Sequence, residues 1–294
     1  TGVQTCALPI LHLRGGGEVK GFLLKGGRGG LLLLEPRLGC LMFPLERIRA
    51  VTFRTGLGVG FNLTLIADYE NNEIFQVDDL GRRVWQMKGL DGPWDARWLP
   101  SGNVLVCEQG AGVREFTSAG PFAWAYTKVS TPYSARCLDS GATLIADTGN
   151  RRVVEVSPEG KVVWEYGRVE AFDAERLPSG NTLLAEPGRN RVLEVSPAGQ
   201  VVWEAGGLMG ALDADRLPGG NTLVTCRDDH CVVEIDPKGK VVWKLSGLQT
   251  PNDADRLPGG LTLVAESGQV RLFDLSGRVV WRVPAGWAGE ANRY

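Results

Sequence analysis

Of the chain's two histidines, only His230 lies beyond residue 55. It stands in Cys226-Arg227-Asp228-Asp229-His230-Cys231, a stretch that gathers an imidazole, two thiols, two carboxylates and a guanidinium. A histidine beside Arg227 or Arg189 could carry a transferred group, the cation balancing the charge that develops. The same donors could hold a metal, but the six cysteines show no paired zinc-knuckle spacing. Cys226 faces Cys231 across a four-residue turn, which suits a cross-strand disulfide or two free thiols better than a metal centre. No metal and no cofactor is expected.

A second set of chemically capable residues recurs at intervals of 37 to 40 residues: Trp94-Asp95, Tyr133-Ser134, Phe172-Asp173, Leu212-Asp213, Asn252-Asp253 and Gly289-Glu290. Acids recur at a third position, Asp68, Glu108, Asp147, Glu186 and Glu266, with Cys226 in the sixth place. Such short acids at strand ends suit loop caps that accept backbone N–H groups.

The elements that must position these residues follow from the same period. Trp85, Trp124, Trp164, Trp203, Trp243 and Trp281 are 38 to 40 residues apart, each at the end of one repeated segment. A copy such as "FDAERLPSGNTLLAEPGRNRVLEVSPAGQVVW" parses into four short β-branched runs separated by Pro-Ser-Gly and Pro-Ala-Gly turns. Four strands in about forty residues is the pattern of a propeller blade, so residues 56–294 are expected to form an all-β, six-bladed β-propeller. Residues 60–85 have the last three strands of a unit and lack the first. "EANRY", nine residues after Trp281, has the pattern of a first strand. The expectation is therefore that the C-terminal strand closes the ring against three N-terminal ones; the alternative is a gene fragment cut there, with further blades lost. Closure would remove exposed strand edges. Each repeated tryptophan would then pack between neighbouring blades.

Residues 1–10, "TGVQTCALPI", resemble a translated sequencing adapter, so the chain is read as a metagenomic fragment whose native N-terminus and any signal peptide are not observable. An extracytoplasmic location is the expectation. Residues 11–55 carry eight Lys/Arg against three Asp/Glu, whereas 56–294 carry 24 against 31. This basic head, with short strands and glycine turns, resembles a small Sm-like or SH3-like β-barrel, an expected protein or surface docking module on a monomeric chain.

"PNDADRLPGGLTLVAE" and "RDDHCVVEIDPKGKVVW" resemble repeats of arylsulfotransferase-like propellers; "IADTGNRRVVEVSPEGKVVWEYG" is similar to an NHL repeat, and Gly-x-Val-Val-Trp resembles the docking units of quinoprotein (PQQ)-like propellers. The first resemblance implies sulfuryl transfer through a histidine, often placed just before the first-strand acid. Here that column reads Trp94, Tyr133, Phe172, Leu212, Asn252 and Gly289. The expected function is accordingly a non-catalytic binding scaffold; the alternative is an arylsulfotransferase-like enzyme using His230.

The loops after second strands and between blades differ from unit to unit, while the others are uniform, so binding is expected on the individualised face. There Trp94, Tyr133 and Phe172 would form half an aromatic ring at the mouth of the axial channel, opposite Leu212, Asn252 and Gly289. Asp95, Asp173, Asp213 and Asp253, one step inward, would either make a polar socket or pair with Arg176, Arg216, Arg256 and Arg293. Arg151 and Arg189 complete the candidate set. A small molecule, glycan or peptide is the expected ligand.

Overall fold

The computed structural model describes residues 63–117 and 120–294, together with the backbone of six short strands in the head. Those six form two three-stranded antiparallel sheets: Glu18–Lys20, Ile10–Leu13 and Ile48–Thr52 in one, Phe22–Gly27, Gly30–Glu35 and Gly39–Phe43 in the other. No pairing joins them among the described residues, so the expected barrel is not supported. The adapter-like residues 1–9 lie outside the described residues.

From Leu63 onward the chain is an all-β propeller. Four repeat units are separate four-stranded antiparallel sheets with strands in sequence order. The unit holding Trp203, for example, contains Asp173–Arg176, Thr182–Glu186, Arg191–Val195 and Val201–Gly206. The inner runs are buried on both faces, as at Leu183 and Leu184, which suits their β-branched and aliphatic residues, while the last strand is half exposed. The fifth sheet has six strands: Pro251–Arg256, Thr262–Phe273, Val279–Arg293, Thr64–Asp68, Glu73–Val77 and Arg83–Lys88.

The structure thus has five blades, not the expected six, because the last and first repeat units share one continuous sheet. The cause is local. Three or four residues separate second and third strands elsewhere; here only Ser267 and Gly268 separate Glu266 from Gln269. Ser267 in turn pairs with Trp287, so the ladder continues through the corner and out to Ala288–Arg293. That last segment pairs with Thr64–Asp68, placing Asn292 opposite Leu65. Tyr294 extends the contact, its N–H donating to Leu63 O at 2.9 Å and its hydroxyl accepting from Trp98 N–H at 2.9 Å. The C-terminal strand therefore does meet the N-terminal three.

First strands neighbour one another around the axis, Pro93–Trp98 against Ser134–Cys137 and so on to Pro251–Arg256, with Val279–Arg293 touching both Pro251–Arg256 and Pro93–Trp98. The outer tryptophans join units in a second ring. Trp124, Trp164, Trp203, Trp243 and Trp281 each donate the indole N–H to a turn carbonyl of the following unit: Pro158, Pro197, Pro237, Leu275 and Asp79, at 2.8 to 3.3 Å. The guanidinium of Arg176, Arg216, Arg256 or Arg293 lies 4.2 to 5.0 Å over the ring of Trp164, Trp203, Trp243 or Trp281. Replacing Trp203 by Phe removes the bond to Pro237 and weakens the Arg216 stack. An expected loss of about 1–3 kcal/mol should lower the melting temperature by roughly 3–10 °C. An unchanged thermal transition would show that the indole ring of contacts does not hold units together.

Candidate functional site: the channel and its mouth

The axial channel is lined by two tiers of first-strand side chains two residues apart, which a strand places on one face. The outer tier is Asp95, Ser134, Asp173, Asp213, Asp253 and Glu290, all buried. Four of these clasp the next strand: Asp95 accepts from Ala135 N at 2.9 Å, Ser134 from Ala174 N at 3.4 Å, Asp213 from Ala254 N at 3.2 Å and Asp253 from Ala291 N at 3.1 Å. The inner tier is Arg97, Arg136, Glu175, Asp215, Asp255 and Asn292.

Eight carboxylates thus face two guanidiniums. Arg97 bonds Glu290, sits 3.4 Å from Asp95 and donates to Asn292 Oδ1 at 3.0 Å. Arg136 reaches Asp173 at 3.1 Å, Asp215 at 3.2 Å and Asp213 at 4.0 Å. The pairing expected for Arg176, Arg216, Arg256 and Arg293 is corrected: they bond Glu155, Glu194, Glu234 and Asp79 on the outer side. Burial and the neighbouring Asp215 push both Glu175 and Asp255 up to about 7. Burial holds Asp213, Asp253 and Glu290 well above the carboxylate range too, with Asp215, Asp255 and Arg97, respectively, exerting the next largest effects; the Arg97 charge works in the opposite sense on Glu290. Oxygens of Asp173, Asp213 and Asp215 lie within 4.8 Å of one another, close enough for a cation, but Arg136 already supplies positive charge to all three.

At the variable face the strand-end acids act as the expected loop caps. Glu108 accepts from Asp91 N at 2.8 Å, Asp147 from Ser130 N at 2.7 Å, Glu266 from Gln249 N at 2.6 Å and Asp68 from Gly286 N at 2.8 Å. Most also bind an arginine of the adjoining third strand, as Glu186 does with Arg191 and Asp147 with Arg152. In the unit of Trp243 the cross-strand pair Cys226 and Cys231 replaces this ion pair, both thiols free and buried. Burial pushes each thiol up, which leaves them poor ligands and nucleophiles. With no acid at this strand end, the loop before Ala211 is held by other groups: Asn190 Oδ1 accepts from Gly210 N at 2.8 Å, and Gly210 O accepts from Arg227 N at 3.1 Å. A cavity of about 290 Å³ opens there, lined by Phe172, Leu212, Arg227, Asp228, Glu170 and Pro187 among others.

The aromatic column forms a contiguous arc beside this cavity. Ring centroids are 4.8 Å apart for Trp94 and Tyr133 and 4.0 Å for Tyr133 and Phe172. Tyr69 extends the arc at 5.6 Å from Trp94. Leu212 and Asn252 are buried; Asn252 donates to Ala288 O at 2.7 Å and leaves Oδ1 without a donor among the described residues. Gly289 is there for space, since a Cβ would clash with the backbone carbonyl of Trp94. Burial raises the Tyr133 hydroxyl, while Gln109 and the Arg227 charge act in the opposite direction.

Of the candidate cations, Arg151 is exposed at a left-handed corner with φ 55°, and Arg189 is drawn to Glu186 at 3.5 Å. Arg227 is the one over the mouth, its guanidinium 5.3 Å from the Trp287 ring centroid. His230 occupies a left-handed corner with φ 51°, and its Nδ1 accepts from Thr250 N at 3.4 Å. Asn72 and Asn190 hold the same corner in other units and accept from Gly92 N and Gly210 N through their side-chain oxygens. The imidazole does an asparagine's structural work. Tyr69, Trp287 and the role of Arg227 escape sequence reasoning. Tyr69 and Arg227 directly follow the second-strand acid position, a column whose residue types share nothing.

No family model matches the chain, and no curated protein matches it. Solved structures do. A Bacteroides caccae protein of unknown function is 19% identical with a TM-score of 0.69, the match covering 79% of this chain and 98% of that one. The nidogen/laminin complex gives 12% identity and a TM-score of 0.62 over 76% and 93%. A streptogramin B lyase gives 11% and 0.58 over 79% and 85%. At these identities the likeness establishes one thing, a β-propeller fold.

Proposed function

We propose that the protein is a non-catalytic binding propeller that takes a small-molecule, glycan or peptide ligand at the channel mouth on the variable face. The observation that carries this reading is the continuous aromatic arc from Tyr69 through Trp94 and Tyr133 to Phe172, next to a cavity in the loop layer. Flat rings in edge-on and tilted contact, placed at the ends of first and second strands, offer apolar contact at little entropic cost, and the polar groups around them orient what binds. Asp95, Asp213 and Asp253 serve mainly as braces in this reading, because one oxygen of each is committed to the next strand.

Sulfuryl transfer through His230 finds less support. The nitrogen nearest the loop is already an acceptor, and no histidine precedes a first-strand acid. A virginiamycin B lyase similar in fold to this chain is catalytically inactive when one histidine becomes alanine, whereas another structure similar in fold is a complex of nidogen with laminin. The second kind of neighbour accords better with a site built from rings.

Trp94→Ala and Tyr133→Ala should each weaken binding to a ligand found in a glycan and peptide panel by at least about tenfold, the size expected of an aromatic contact that carries binding. Calorimetric titration of the folded variants checks it. Unaltered affinity in both would remove the mouth from consideration.

A further inference from the structure

Granting that the mouth binds a ligand, we propose that it selects a planar molecule bearing one carboxylate, with the ring on the aromatic arc and the anion on Arg227. The argument rests on groups left without partners. Arg227 is half-buried, and no ion pair or side-chain hydrogen bond engages its guanidinium among the described residues. Every other arginine of comparable burial around the loop layer, Arg114, Arg152, Arg191 and Arg271, is fixed on a buried acid. Arg227 lies outside that third-strand column, whose place in its unit is taken by Cys231, and it leaves the end of its second strand beside a thiol, Cys226, and not beside a carboxylate.

Trp287, beneath Arg227, has a buried Nε1–H with no acceptor among the described residues. A donor group left unmade is costly, and the guanidinium that lines the cavity without an acceptor calls for an oxygen-rich group. A guanidinium holds a carboxylate through two parallel hydrogen bonds, which fixes the orientation of the attached ring. About 290 Å³ accommodates one or two fused rings with such a group, and Phe172 and Leu212 line its apolar side. Asp228 and Glu170 border the same cavity and repel a second negative charge, which argues for a monoanion.

The test uses the intact chain and three probes that share a ring system: 2-naphthoate, 2-naphthol and 2-naphthylmethylamine, followed by calorimetry or saturation-transfer NMR. The naphthoate is expected to bind at least about tenfold more tightly than the naphthol, with the amine weakest. Arg227→Gln should abolish that preference while leaving naphthol binding unchanged, and Arg227→Lys should retain part of it. Melting at the wild-type temperature confirms that each variant is folded. Naphthoate binding that survives Arg227→Gln but falls in Trp94→Ala would overturn the anion site and leave the aromatic mouth standing. Failure of all three probes to bind would overturn both.

Discussion

Removing residues 286–294 is expected to lower the melting temperature by more than about 10 °C, at roughly 2–4 °C per kcal/mol for a domain of this size. The segment supplies the first strand of the unit that begins at Thr64, with Ala288 and Glu290–Arg293 laddered to Thr64–Asp68. It also carries the bonds that close the circle: Ala291 N to Asp253, Arg97 to Glu290, Trp98 N to Tyr294 Oη, and the Arg293 guanidinium over Trp281. Each is worth about 1 kcal/mol net, and ion-paired ones more, so their joint loss exceeds about 5 kcal/mol before the newly bare edge is counted. Ile66 and Ala67, fully buried in the intact ring, would face solvent. Differential scanning calorimetry or dye-monitored melting reads the effect. A transition at the intact chain's temperature would mean that the ring holds without this strand.

That pairing was legible in the sequence because it is a matter of pattern. "EANRY" follows its tryptophan at the same distance as "DAERL" follows Trp164, and a strand missing its neighbour at one end explains a strand lacking one at the other. The blade count was not legible. Ser267-Gly268 is a corner shorter by one or two residues, and nothing in its composition announces that Ser267 will pair with Trp287 and fuse two units into one sheet.

The charge pattern was misread for a reason that strand geometry corrects. Asp213 and Arg216 are three residues apart and lie on opposite faces of their strand, so they cannot share a channel. The residues that share a face with the acids are two positions on: Arg97, Arg136, Glu175, Asp215 and Asp255. Alternation alone would have found the acidic channel. It would not have found Arg227, whose position is set by the loop after the second strand, where the other units carry tyrosine, glutamine, threonine, proline and serine.

Arg136→Met is expected to cost about 3–5 kcal/mol at pH 8, the range for breaking a buried ion pair by removing one partner. Arg136 stands among Asp173, Asp213 and Asp215, and without it their charges lose the cation nearest to them. The loss should shrink on acidification, because Asp213, which burial holds well above the carboxylate range, can then carry a proton and needs no cation. The unaltered chain shows the same sense of dependence. Glu175 and Asp255 titrate near 7 in the folded protein, against 4.5 and 3.8 as ordinary groups, so between those values the folded state holds protons the unfolded chain has released. Stability therefore falls as pH rises through this window, the reverse of the behaviour of carboxylates in strong ion pairs. From pH 6 to pH 8 each of the two groups should remove about 1.4 kcal/mol. Glu175→Gln and Asp255→Asn should flatten the profile, and adding Asp215→Asn to Arg136→Met should recover part of the lost stability by leaving fewer charges to compensate. Denaturant unfolding across pH 5–8 decides the matter: a chain most stable at pH 8, or an Arg136→Met penalty that grows toward pH 5, would show that the channel acids are ionised and satisfied without this guanidinium.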